Sequence, residues 1–179
     1  APVIGGGPLL RVEHLRVDRG GARVLDVPAF ELFSGEFVSL IGPNGCGKST
    51  LLLAVLGLLP RVSGRITFQG REVGRDGEWL AYRRRLAMVA AGMGAARHAR
   101  KLSGGEARRV SLARAFAVEP DLIFFDEPFA HLDPPTREVI ARDMERIVRD
   151  SGITAVLVTH EPAEALRLSD RIVVMRGGR

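Results

Sequence analysis

The sequence is poor in cysteine, lysine and aromatic residues. Cys46 is its only cysteine, which excludes an internal disulfide and favours a reducing compartment. The longest apolar run, Leu51 to Leu59, falls short of the roughly 20 residues that a membrane-spanning helix needs, so the chain is not expected to cross a bilayer by itself. No signal peptide is recognisable, since the first residues are rich in glycine rather than basic and then apolar.

The positive charge comes almost entirely from arginine. Of 26 basic residues only Lys48 and Lys101 are lysines, and the formal net charge is +5. The basic residues are scattered, and no basic patch is interleaved with aromatic residues, which argues against a nucleic-acid surface. A bias in composition is the simpler explanation of the charge, and no nucleic-acid partner is expected.

A chain of 179 residues predicts a single domain, 1–179, with a sizeable core. Residues 1–9 are expected to be flexible. The absence of an initial methionine and the end at Arg179, soon after a strand-like run, suggest a trimmed fragment. The second half alternates helix-like and strand-like patterns, which predicts a parallel sheet covered on both faces. The fold class is therefore predicted to be α/β, with a small antiparallel sheet formed by the first strands.

The local patterns predict most element bounds. Pro28 indicates an edge or a bulge in the second strand, and the strand at 65–68 is also interpreted as an edge. The predicted strands are 10–17, 23–32, 37–41, 65–68, 86–90, 122–125, 154–159 and 172–175. The predicted helices are 51–58, 78–85, 103–117, 134–151 and 162–168, and Ser103 with Glu106 would form a capping box.

A glycine-rich segment from Gly42 to Thr50 reads GPNGCGKST and contains the pattern G-x-x-x-x-G-K-[ST]. It follows a predicted buried strand and precedes a predicted helix, which is the context that a phosphate-binding loop requires. Glycines let backbone N–H groups surround phosphate oxygens, and the helix N-terminus adds about half a positive charge. Lys48 is predicted to reach the β- and γ-phosphates, and Ser49 to ligate Mg²⁺.

Two carboxylates follow the apolar run from Leu122 to Phe125. Asp126, at the end of this predicted strand, is placed to hold Mg²⁺, and Glu127 is the candidate base that polarises the attacking water. Adjacent carboxylates at a strand end are often only solvated or capping groups. The phosphate-binding loop elsewhere in the chain favours the catalytic interpretation.

Three further segments carry a resemblance to a known family. Leu102 to Glu106 reads LSGGE and, with the ARRVSLARAF that follows, closely resembles the signature motif of ABC-type ATPases. DEPFAHLD, Asp126 to Asp133, resembles the family's Walker B motif and D-loop. VTHEPAEALRLSDRI, Val158 to Ile172, resembles its switch-histidine region. The motifs occur in the family's order, and the resemblance covers nearly the whole chain from Leu10.

The resemblance implies a P-loop NTPase core and the ATP-binding subunit of an ABC transporter, most similar to an importer. It implies ATP and Mg²⁺ as cofactors, transmembrane permease subunits and a second copy of the chain as partners, and a location on the cytoplasmic face of the cell membrane. In the family, two copies stack head-to-tail, and the signature residues of one copy contact the γ-phosphate bound by the other.

The candidate site residues combine the motif chemistry with this resemblance. The catalytic candidates are Lys48, Glu127 and His160, the last as a γ-phosphate partner. The metal ligands are Ser49 and Asp126. The expected nucleotide contacts are Gly42, Pro43, Asn44, Gly45, Cys46, Gly47, Lys48, Ser49 and Thr50, together with Arg19, Ser103, Gly104 and Gly105.

The chain departs from the family pattern in three ways. Arg19 stands where the family has an aromatic residue that stacks on adenine, although a guanidinium plane can also stack on a base. Ala91, or Ala90 if the alignment is shifted by one, replaces the Q-loop glutamine. Only ten residues separate Ala91 from Leu102, where the family has a helical subdomain that receives the transmembrane subunits.

The shortened connection, 91–101, leaves three explanations open: a designed deletion, a sequence from which unordered residues are omitted, and a naturally minimal protein. It also leaves two functions open. The first is an ATPase subunit that powers transport, and the alternative is a nucleotide-binding module with little or no turnover, uncoupled from membrane subunits. A family member acting on nucleic acid or ribosomes would need extra arms or a second domain, which the sequence does not show.

Overall fold

The computed structural model describes residues 7–74, 78–90 and 104–179, which form two sheets and five helices. Within these ranges, every helix is too short or too polar to span a membrane. The strands are β1 (Leu10–Arg19), β2 (Ala22–Leu32), β3 (Phe37–Ile41), β4 (Val62–Phe68), β5 (Arg71–Val73), β6 (Leu86–Ala90), β7 (Leu122–Asp126), β8 (Thr154–Thr159) and β9 (Arg171–Val174). The helices are α1 (Lys48–Val55), α2 (Glu78–Arg84), α3 (Gly104–Phe116), α4 (Pro134–Ser151) and α5 (Pro162–Leu168).

The larger sheet has the strand order β6-β7-β8-β3-β9, and every pairing in it is parallel. Side chains from alternate positions of its central strands enter two different cores. Phe124 and Val156 pack with α1 and the smaller sheet on one face, whereas Phe125 and Leu157 pack with α3 and α4 on the other. This double coverage explains the uninterrupted apolar runs of β7 and β8, and the predicted α/β class is confirmed.

The smaller sheet is antiparallel, with the order β2-β1-β4-β5. A two-residue turn, Gly20 and Gly21, joins β1 to β2, and both residues have the positive φ that a type I′ hairpin turn requires. Pro28 lies in an edge strand, as predicted. The interpretation of 65–68 as an edge was wrong, because β4 pairs with β1 on one side and with β5 on the other. β5 has only three residues, two of them charged, and gave no strand signal.

Capping residues set both ends of α4. Asp133 caps α4 by accepting the N–H of Thr136 at 3.1 Å, and α4 ends at Gly152, whose φ is +66°. The prediction for α1 was wrong at both ends, since the helix begins at Lys48, directly after the glycine-rich loop, and ends at Val55. Ser103, the predicted cap of α3, lies outside the described residues.

A partly buried ion pair holds the edge strand β9 to the start of β3. Glu36 accepts two hydrogen bonds from Arg171, at 2.6 and 2.9 Å, and a third from the Phe33 N–H at 3.0 Å. Arg171 also donates to the carbonyl of Glu31 at 2.7 Å. The hydrogen bond with Glu36 is the main reason that the pKa of Arg171 is raised. The carboxylate is nearly inaccessible to water, so the guanidinium is its main source of compensation.

We expect Glu36→Gln to lower the free energy of unfolding by about 2 kcal/mol at neutral pH, because a neutral amide cannot accept two charge-assisted hydrogen bonds. Urea denaturation measures the difference. Asp18→Asn is the matched control, since Asp18 forms an exposed pair with Arg23 that should contribute less than about 1 kcal/mol. Equal losses in the two variants would show that the pair of Glu36 with Arg171 contributes no more to the free energy of unfolding than an exposed pair does.

Candidate active site

The glycine-rich loop, 42–47, connects β3 to α1 and is packed against two other parts of the chain. A Cβ atom on Gly42 would overlap the carbonyl oxygen of Met175, and one on Gly47 would lie 3.4 Å from Leu25 of β2. The side chain of Cys46 is buried in the core. By contrast the outer part of the loop, 43–45, is exposed. The two ends of the loop are therefore packed against the protein, and its middle segment, 43–45, is open to solvent.

Lys48 is buried at the start of α1, and its ammonium group lies inside the curve of the loop. Nζ donates to the carbonyl of Gly42 at 2.8 Å and to that of Pro43 at 3.0 Å. An ammonium group has three protons, so it can hold two loop carbonyls and one further acceptor at once. The loop thus surrounds a fixed positive charge.

Asp126 at the end of β7 faces Ser49 in the first turn of α1. The hydroxyl of Ser49 donates to Oδ1 of Asp126 at 3.3 Å. The pKa of Asp126 is raised, chiefly because burial disfavours its charge and further because Glu127 is close; Ser49 and Lys48 act in the opposite direction. Removing a half-buried carboxylate from water has a cost that a cation would offset.

The residues around Asp126 fit a magnesium ion. Mg²⁺ prefers oxygen ligands and is usually held by one or two carboxylates, with phosphate oxygens and waters completing its octahedron. Asp126 and Ser49 supply two such oxygens from the protein. In the described part of the chain no three acidic, histidine or cysteine side chains form a closed metal cluster. The site would therefore hold Mg²⁺ together with phosphate groups rather than alone.

Glu127, directly after β7, lies close to His160, directly after the neighbouring strand β8. Nδ1 of His160 lies 3.4 Å from Oε1 of Glu127, and both side chains are partly exposed. Glu127 has φ +48°, an uncommon conformation for a residue with a side chain. Its N–H donates to the carbonyl of Val158 at 2.9 Å, which holds this conformation against β8. A water molecule can reach both groups from solvent.

Gly104 and Gly105 open α3 on the opposite face of the sheet from α1. Gly104 is exposed, and a Cβ on Gly105 would lie 2.8 Å from Thr136, so α3 begins in close contact with α4. Arg19 is exposed at the end of the hairpin whose second strand contacts the loop at Gly47. Ser103 and Ala91 lie outside the described residues, so their predicted roles remain predictions.

A turn at 176–179, which sequence reasoning missed, supports the loop from behind. The N–H of Gly178 donates to the carbonyl of Cys46 at 2.9 Å, and its carbonyl accepts the N–H of Asp26 at 2.8 Å. The preceding residue, Met175, donates its N–H to Ile41 at 2.8 Å. The turn thus links the loop to β2. Its only sequence signal is the glycine pair 177–178 directly after a strand.

The two glycines of this turn allow a matched test of the link. Both have positive φ, but a Cβ on Gly177 would meet open space, whereas one on Gly178 would lie 2.7 Å from the carbonyl of Val24. Both alanine variants incur similar backbone strain, and only Gly178→Ala also displaces the turn. We expect Gly178→Ala to lower the melting temperature by about 4–8 °C more than Gly177→Ala does, which corresponds to about 2 kcal/mol. Equal melting temperatures would contradict a close contact with Val24.

The fold and the site together define a class of protein. The glycine-rich loop joins the parallel strand β3 to a helix, and the carboxylates and the histidine lie at the carboxyl ends of β7 and β8, the next two strands on one side of β3. This arrangement is that of the α/β proteins that bind nucleotides through a phosphate loop. The family model described as ABC transporter matches residues 25–98 and 91–130. The chain belongs to this family.

Similar proteins are ATP-binding proteins of import systems. The chain is 37% identical to an aliphatic sulfonates import ATP-binding protein of Rhodopseudomonas palustris, over 95% of this chain and 72% of that protein. It is 36% identical to an Fe(3+) ions import ATP-binding protein of Rhodococcus jostii, over 95% of this chain and 60% of that protein. The solved structure of cbiO1 from Clostridium perfringens, described as part of the ABC transporter complex cbiONQ, matches with a TM-score of 0.84 and 25% identity over 97% of this chain and 87% of that one.

The chain is shorter than these relatives. It spans 60% of the Rhodococcus protein and 28% of a nitrate import ATP-binding protein of Synechococcus elongatus. The alignment with the Rhodococcus protein runs over 208 positions, more than the 179 residues of the chain, so that relative carries residues with no counterpart here. The two segments matched by the family model overlap at residues 91–98.

Proposed function

We propose that the chain is the ATP-binding and ATP-hydrolysing subunit of an ABC transporter of the importer kind. One observation carries the proposal: the loop with Lys48, the Asp126–Glu127 pair and His160 lie at the carboxyl ends of three adjacent strands, β3, β7 and β8. These strands are parallel, so their carboxyl ends meet at one edge of the sheet, where ligands bind in α/β folds. The names of the relatives supply the transport context.

In this proposal, the loop binds the triphosphate. The exposed segment 43–45 and the first turn of α1 present backbone N–H groups to the phosphates. Lys48 keeps its two loop carbonyls and donates its remaining proton to a β- or γ-phosphate oxygen. Arg19, at the exposed end of the hairpin, is the candidate for stacking on the base.

Asp126 and Ser49 would hold Mg²⁺ beside the bound phosphates. When bound, the ion would supply positive charge that neutralises phosphate oxygens. A cation beside Asp126 would also stabilise the ionised carboxylate, which burial otherwise disfavours.

Glu127 would accept a hydrogen bond from a water molecule and orient the water oxygen toward the γ-phosphorus. The water oxygen bonds to the γ-phosphorus as the bond from that phosphorus to the oxygen shared with the β-phosphate breaks. The water's proton passes to the carboxylate of Glu127, and ADP and phosphate leave. His160, 3.4 Å from Glu127, would fix the carboxylate and contact a γ-phosphate oxygen.

The remaining parts of the proposal require a second copy and membrane subunits. Gly104 and Gly105 open α3 on the face of the sheet opposite α1, so within one copy they are separated from the phosphate loop by the sheet. Head-to-tail pairing would bring them, with Ser103, to the γ-phosphate held by the other copy. Permease partners and a location at the cytoplasmic face of the membrane follow from the relatives' role in import.

A nucleotide-binding module with little turnover is the second candidate function. The observation that favours it is the missing stretch relative to the relatives, together with the overlap of the two family-model segments at 91–98. Those residues contain Ala91, where the family resemblance places a glutamine. Such a module would bind MgATP or MgADP without coupling to a transporter.

Phosphate release from MgATP tests the proposal, with Glu127→Gln as the variant. We expect the rate to fall about 10²- to 10⁴-fold while ATP affinity is retained, because the amide cannot accept the water's proton. Glu161→Gln is the matched control, since Glu161 lies 3.8 Å from the other ring nitrogen of His160 but is not the proposed base. This control should keep a rate close to that of the parent chain.

The possible outcomes separate the two candidate functions. If the parent chain binds ATP without releasing phosphate, the nucleotide-binding module is the better description. If the parent releases phosphate and Glu127→Gln does so equally fast, Glu127 is not the base.

A further inference from the structure

Thr159 is the last residue of β8, and His160 directly follows it in a different environment. Along β8, Val156 and Val158 pack into the core on the α1 side, whereas Ala155 and Leu157 pack into the core on the α4 side. The alternation of the strand places Thr159 with the second set. Thr159 is buried and His160 is half-exposed. The backbone that carries the histidine can therefore be held from the α4 side of the sheet, where the side chain of Thr159 is buried.

The hydroxyl of Thr159 makes two hydrogen bonds. It donates to Oε2 of Glu164 at 2.6 Å and accepts the N–H of Glu161 at 3.0 Å. An ionised carboxylate is an acceptor only, so Glu164 fixes the hydroxyl proton on its own side. The oxygen lone pairs are thereby turned toward Glu161. The two bonds together hold the backbone on both sides of His160.

The hydroxyl of Thr159 satisfies the backbone N–H of the residue that directly precedes α5. Glu161 is the N-cap residue of α5, and its side chain makes no capping hydrogen bond. Its N–H would lose its acceptor if the hydroxyl of Thr159 were removed. A freed N–H at this point allows the chain between β8 and α5 to shift, and His160 lies in that chain.

Glu164 is itself held in place. It is largely buried, and Arg137 of α4 lies 3.9 Å from its other oxygen. The N–H of Glu164 donates to the carbonyl of Glu161 at 3.2 Å, and the N–H of Arg137 donates to that of Asp133 at 2.9 Å. The hydroxyl of Thr159 is thus oriented by a carboxylate that two helices fix.

We propose that Thr159 and Glu164 are positioning residues for His160, which they hold beside Glu127 through the backbone on either side of the histidine. The proposal rests on the proposed function for the consequence in catalysis, but the geometric effect on His160 does not require turnover. Neither residue would touch the substrate. Their loss should reduce catalysis without weakening the binding of ATP through the loop.

Thr159→Val and Thr159→Ser form the matched pair for the test. Thr159→Val removes the hydroxyl, and we expect kcat for ATP hydrolysis to fall about 10-fold or more with little change in KM, since a small displacement of a catalytic group is costly. Thr159→Ser keeps the hydroxyl and should restore a rate close to that of the parent. Equal rates in the two variants, or a loss confined to KM, would overturn the proposal.

A double-mutant cycle tests the role of Glu164. Glu164→Gln should lower kcat less than Thr159→Val does, because an amide still offers an acceptor oxygen. In the Thr159→Val background the same change should have no further effect on kcat, since the hydroxyl that it orients is absent. Additive losses would show that Glu164 acts independently of Thr159.

NMR of the His160 ring without nucleotide distinguishes failure of this proposal from failure of the proposed function. Thr159→Val should shift or broaden the ring resonances, and Thr159→Ser should leave them in place. If the parent chain shows no phosphate release but the ring responds in this way, the proposed function fails while the positioning is supported. If the ring is unchanged in Thr159→Val, the positioning is overturned whatever the activity.

Discussion

The structure of the site depends on the buried ammonium group of Lys48. A cation that is removed from water needs polar partners, and the carbonyls of Gly42 and Pro43 supply them. To reach Lys48 these carbonyls must turn inward, which curves the loop around the charge and leaves its outer segment, 43–45, exposed. The same ammonium lowers the pKa of Asp126 through its charge, against the larger effect of burial. One cation thus shapes the loop and influences the carboxylate across from it.

The parallel sheet converts distant sequence segments into one site. The strands β7, β8 and β3 are neighbours, and their carboxyl ends carry Asp126, His160 and the loop, respectively. Hydrogen bonds from outside the site support this edge. The turn at 176–179 donates one to the loop, and Thr159, next to His160, donates one to Glu164. The shortened connection interrupts neither the pairing of β6 with β7 nor the cores on the two faces. In the proposed function, the nucleotide therefore binds at an edge of the sheet that forms without the helical subdomain, which in the family receives the membrane subunits.

Sequence patterns predicted the elements whose signals are local. The buried strands, the prolines that open α4 and α5 and the strand–loop–helix context of Lys48 are all read from neighbouring residues, and the described structure contains each of them. The sequence did not predict the start of α1, because glycine and lysine give no apolar periodicity. It also missed the contacts of Gly178 with Cys46 and Asp26, which are backbone hydrogen bonds between segments more than 130 residues apart. The pairing of β4 on both sides depends on β5, which is too short and charged to be recognised.

Calorimetric titration with MgATP, using the parent chain and Lys48→Met, tests whether the ammonium group enclosed by the loop binds the triphosphate. Methionine keeps most of the length of the side chain but removes the charge that the loop encloses. We expect the parent to bind ATP and the variant to bind it about 100-fold more weakly, since the lost interaction is a charge-assisted one worth about 2–3 kcal/mol. No binding of ATP or ADP to the parent, or equal affinity in the two chains, would contradict this expectation.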